Sequence, residues 1–99
     1  MNTANPQLEG LYMAIAGINR LLVEKQLLTH EEIREILGEV ERAVLTDPKS
    51  QSVSASHVKA MAFPIRLLLL ANDAAEKGAQ PSFEALARKI GQQEQKEVL

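Results

Sequence analysis

Cysteine and tryptophan are missing from this sequence, and Tyr12, Phe63 and Phe83 are its only aromatic residues. Without a thiol the chain has no disulfide, no thiolate nucleophile and no cysteine-based zinc site. With so few rings, a core has to be assembled from Leu, Ile, Val, Ala and Met. Of these, Leu and Ala favour helix, and the β-branched residues are too scattered to point to a sheet. Long apolar runs are lacking too. The most apolar stretch, residues 61–71, is about half of the ~20 residues a membrane span needs, and Pro64 and Arg66 interrupt it. Charge of one sign is not in excess either. The net charge of −2 argues against a dominant non-specific attraction to nucleic acid, which requires a basic patch. The opening residues, Met1 to Pro6, lack the basic start and apolar segment of a secretory signal, so the expected location is cytoplasmic.

What the chain does have is a segment that is greasy all round. Met61, Phe63, Ile65, Leu67, Leu68, Leu69 and Leu70 point in every direction around a helix, and Arg66 is the one charge among them. A helix wet on one side needs a single apolar stripe; one apolar on all sides must be enclosed. Ninety-nine residues make one domain. The expected architecture is therefore all-α: a small helical bundle of three main helices and a short fourth, with the third helix central and kinked at Pro64. Residues 1–91 would form the domain, and residues 92–99 a polar tail that frays.

Local signals place the helices. Asn5 followed by Pro6 suits an N-cap and first helical position. Leu8, Leu11, Tyr12, Ile15, Ile18 and Leu22 then recur at helical spacing as one face, with Gly10, Ala14 and Gly17 beside it. Glycine costs about 1 kcal/mol relative to alanine inside a helix, so close packing is expected to compensate there. Thr29-His30-Glu31-Glu32 matches a capping box and opens a second helix with the stripe Ile33, Ile36, Leu37, Val40 and Val44. Glu35, Glu39, Glu41 and Arg42 fall on its wet side. The short link between the two helices predicts antiparallel neighbours. Asp47 to Val53 reads as a polar, serine-rich loop. Ser54 caps a third helix, which Gly78 stops, and a short fourth follows Pro81-Ser82 with Phe83, Leu86, Ala87 and Ile90 inward and Gly91 as its stop.

Few constellations suggest chemistry. His30 beside Glu31, Glu32 and Glu35 resembles a fragment of a metal site, but ligands on one helical face need a spacing of three or four, and Arg34 fills the fourth position. Ser54 and His57 lack an orienting carboxylate and a nucleophile turn. No phosphate loop or dinucleotide fingerprint is present. The chain is accordingly read as a non-enzyme with no catalytic residue, cofactor or metal. Residues 86–91, Leu-Ala-Arg-Lys-Ile-Gly, look like the first helix and turn of a helix-turn-helix unit. The residues that follow supply neither apolar anchors nor a basic face, so a DNA-binding or transcription-regulating role is the second reading.

The first reading is an interaction module. Four helices, one of them short, leave part of the central helix uncovered, and a homodimer or another protein would cover it. The candidate interface is Met61, Phe63, Arg66, Leu67 and Leu70, together with the small-residue face of the first helix. Arg66 has two expected states: a stem lying on apolar surface with its head in water, or a buried pair with Asp73 or a carboxylate of the second helix.

Overall fold

The computed structural model describes residues 5–49 and 53–98, and the backbone alone for 96–98. Residues 1–4 at the amino end, Ser50, Gln51 and Ser52 of the serine-rich loop, and Leu99 lie outside the described residues. The chain folds into α1 (Pro6–Glu24), α2 (His30–Thr46), α3 (Ala55–Glu76) and α4 (Phe83–Val98), with no strand among the described residues.

The starts of the helices follow the capping chemistry in the sequence. The Asn5 side chain accepts from the N–H groups of Gln7 and Leu8, and Pro6 occupies the first turn. At α2 both halves of the capping box form: the Glu32 N–H donates to the Thr29 hydroxyl at 3.0 Å, and the Thr29 N–H donates to the Glu32 carboxylate at 2.9 Å. Ser54 receives the His57 N–H, and Ser82 receives the Ala85 N–H. At the end of α3, Gly78 adopts φ +80°, the left-handed conformation that suits glycine, and the Ala79 N–H closes back on the Ala74 carbonyl at 2.8 Å.

The outline of the last two helices differs from expectation. The fourth helix is not short: α4 has 16 residues against 17 in α2. It runs straight through Gly91, because a single glycine lowers helix stability by only about 1 kcal/mol and sets no stop without a left-handed turn behind it. Pro64 lies inside α3, which continues through it as one helix of 22 residues. The proline therefore does not divide two helices.

α3 is the hub. α1, α2 and α4 all pack on it, α2 most extensively, while direct contact between α1 and α2 is slight. The antiparallel α1–α2 pairing expected from the short link is thus replaced by two separate dockings on α3. The main core joins α1, α3 and α4: Phe63, Leu67, Phe83, Leu86 and Ile90 are buried together, with Tyr12, Met13, Leu70, Ala71 and Ala87 packed against them. The few rings are spent here. Phe63 lies between Tyr12, at 6.4 Å between centroids, and Phe83, at 6.1 Å, both tilted as aromatic quadrupoles favour.

Candidate interaction surface

Of the five residues proposed as an interface, two prove to be core. Phe63 is buried and Leu67 is 0 % exposed. The side chain of Leu70 packs against that same core, and Met61 is exposed at the other end of the segment. Ala62, Ile65 and Leu68 are buried as well. The chain therefore encloses most of its own greasy segment, and the expected shortfall of cover on α3 does not occur. The cover is supplied by the inward residues of the packed helices, Phe83, Leu86 and Ile90 of α4 with Tyr12 and Met13 of α1 on one side and Ile33 of α2 buried as well.

Arg66 takes the paired state. Its Nε donates to the Glu41 carboxylate of α2 at 2.8 Å, with 17 % and 24 % of the two side chains exposed. Glu41 is therefore not on the wet side of α2. It belongs to a row, His30, Arg34 and Glu41, that ties α2 to α3. The His30 ring nitrogen Nδ1 lies 2.8 Å from the Asn72 side-chain oxygen, and the Asn72 amide donates to the His30 carbonyl at 2.9 Å. Because the Asn72 oxygen is the acceptor, Nδ1 carries the proton. Asn72 is 5 % exposed, so this is a satisfied polar point inside the α2–α3 contact. Arg34 reaches Asp73 at 3.0 Å and Glu76 at 2.6 Å on α3, and Glu31 at 2.8 Å on its own helix. Hydrogen bonds to Asp73 and then Glu76 raise the Arg34 pKa above its ordinary value. Since Arg34 meets α3 near residues 73–76 and Glu41 meets it at Arg66, α2 and α3 run antiparallel.

This polar row turns α2 away from the position its apolar stripe alone would choose. Ile33 is buried and Leu37 and Val44 are half-buried, but Ile36 and Val40 are left exposed. The same happens on α1. That helix of 19 residues has no buried residue at all. Its inner flank, Tyr12 and Met13, meets the core, while Leu8, Leu11, Ile18 and Leu21 stay exposed, Leu11 at 53 % and Ile18 at 58 %. Gly10 and Gly17 lie on the same open side, and a Cβ added to either would meet nothing within 4 Å. On the small-residue face of α1, Gly10 and Ala14 are exposed and Gly17 is half-buried.

The helix-turn-helix element does not form. Its turn would fall at Gly91, which is inside the continuous α4. No family model, curated protein or solved structure matches this chain.

Proposed function

We propose that this chain is a small helical interaction module. It performs no chemistry of its own, works in the cytoplasm, and uses the uncovered apolar flanks of α1 and α2. One observation carries this reading: α1 is a largely apolar helix with no buried residue, beside a core that is otherwise closed. Isolated exposed leucines are ordinary on protein surfaces, but a stripe repeating along a whole helix is not. Leu11, Ala14, Ile18 and Leu21 recur at three- and four-residue spacing, which is the seam one helix presents to another.

Burial of that stripe by a partner is expected to show in cells. The tagged full-length chain recovers a defined complex, and the variant Ile18→Glu with Val40→Glu loses it while keeping its helical circular dichroism. The same proteins recovered with both forms, or none with either, would contradict the reading.

A further inference from the structure

We propose that the notch between the end of α3 and the start of α4 binds a small anionic amphiphile, a short apolar body carrying a carboxylate, for which decanoate is the probe. The site is separate from the flanks of α1 and α2 and does not rest on the interaction reading. Every residue lining it belongs to α3, to α4 or to the turn between them. The notch holds about 340 Å³. Small-molecule sites run from about 300 to 1,000 Å³ and are mostly apolar with a few polar groups, so its size suits a short ligand. Its shape follows from the turn. Gly78 reverses the chain, and the N–H groups of Lys77, Gly78 and Ala79 close on the Ala74 and Ala75 carbonyls. Ser82 accepts the Ala85 N–H. With those main-chain groups partnered, apolar side chains form the walls: Leu70 and Ala74 of α3, Ala79 and Pro81 of the turn, Ala85 and Leu86 of α4. Leu86 is 2 % exposed and belongs to the main core, so the notch reaches down to that core. The three alanines leave the space unfilled.

Charge selects the occupant. Lys77 at the end of α3 and Lys89 on α4 line the same notch, and both are exposed. Long lysine stems lie along apolar surface and hold their ammonium groups toward water. The carboxylate in the lining, Asp73, is already held by Arg34 at 3.0 Å. Two lysines therefore stand over an apolar floor with no free carboxylate among the lining residues to neutralise them. That arrangement attracts an acyl carboxylate and repels a cationic chain of the same length.

The test is an NMR titration of the purified full-length chain with decanoate, kept below its micelle concentration. Saturable shifts are expected at the methyls of Ala74, Ala79, Ala85 and Leu86, with those of Leu11 and Ile18 unmoved. Decyltrimethylammonium, the cationic chain, is expected to bind roughly tenfold more weakly or less. Two variants probe the two halves of the site. Ala85→Leu fills the space. Lys77→Glu with Lys89→Glu reverses the charge at two exposed positions and keeps the helical circular dichroism. Each is expected to weaken decanoate binding by roughly tenfold or more. Shifts that fail to saturate, or that fall equally on Leu11 and Ile18, mark adsorption to exposed apolar surface and overturn the site. Equal binding of the cationic chain, or decanoate binding unchanged in the charge-reversed variant, overturns the choice of ligand.

Discussion

Arg66 and Asn72 show how polar side chains decide where helices sit. Each is placed among apolar residues of α3, and each holds α2 through a specific partner, Glu41 for the one and His30 for the other. Hydrogen bonds to charged groups contribute about 1.5–3 kcal/mol when shielded from water. Replacing Arg66 by Ala is therefore expected to lower stability by about 1–3 kcal/mol in urea denaturation, with the pair's energy recovered from a cycle that adds Glu41→Ala. Additive losses in that cycle would mean that the pair contributes nothing. Sequence makes Arg66 a candidate for pairing, because it breaks an apolar run. Sequence does not make Glu41 a partner. Helical periodicity sorts residues by hydropathy, and on that measure a glutamate always falls on the wet side. Nothing local to His30 signals a bond to a residue 42 positions away.

At the scale of the element, the helix starts were legible and the ends were less so. Asn5, Thr29, Ser54 and Ser82 each cap the helix that follows, because the chemistry that satisfies the first free N–H groups lies within a few residues. Helix ends depend on whether a glycine enters the left-handed region. Gly78 does and Gly91 does not, and the two look alike in sequence. Substituting Gly78 by Ala should accordingly destabilise the fold by about 1–2 kcal/mol, since a Cβ in that conformation meets the following carbonyl. Thermal melts would show it, and an unchanged melt would contradict the role given to this turn. The stripe on α1 was found at the right spacing, but its facing was mistaken. The apolar arc from Leu21 through Leu11 to Tyr12 is wider than one neighbour can cover, and only packing decides which part of it is taken.

The molecule is a hub helix with three others laid on it, and most of its exposed large apolar side chains among the described residues lie on α1 and α2, with Met61 exposed on the hub. The greasy segment calls for enclosure, and the chain itself encloses most of it. Counting stripes understates the cover on α3, because Phe83, Leu86 and Ile90 of α4 bury deeply against it. The core and the open face predict opposite behaviour for methyl groups in water. The most direct test is methyl NMR of the full-length chain with a soluble nitroxide, followed from low to high micromolar concentration. The methyls of Leu11 and Ile18 should be strongly relaxed at low concentration, while those of Leu67 remain protected throughout. Ile18 methyls protected even at the lowest concentration, or Leu67 methyls relaxed at any, would contradict the division between a closed core and an open α1 face.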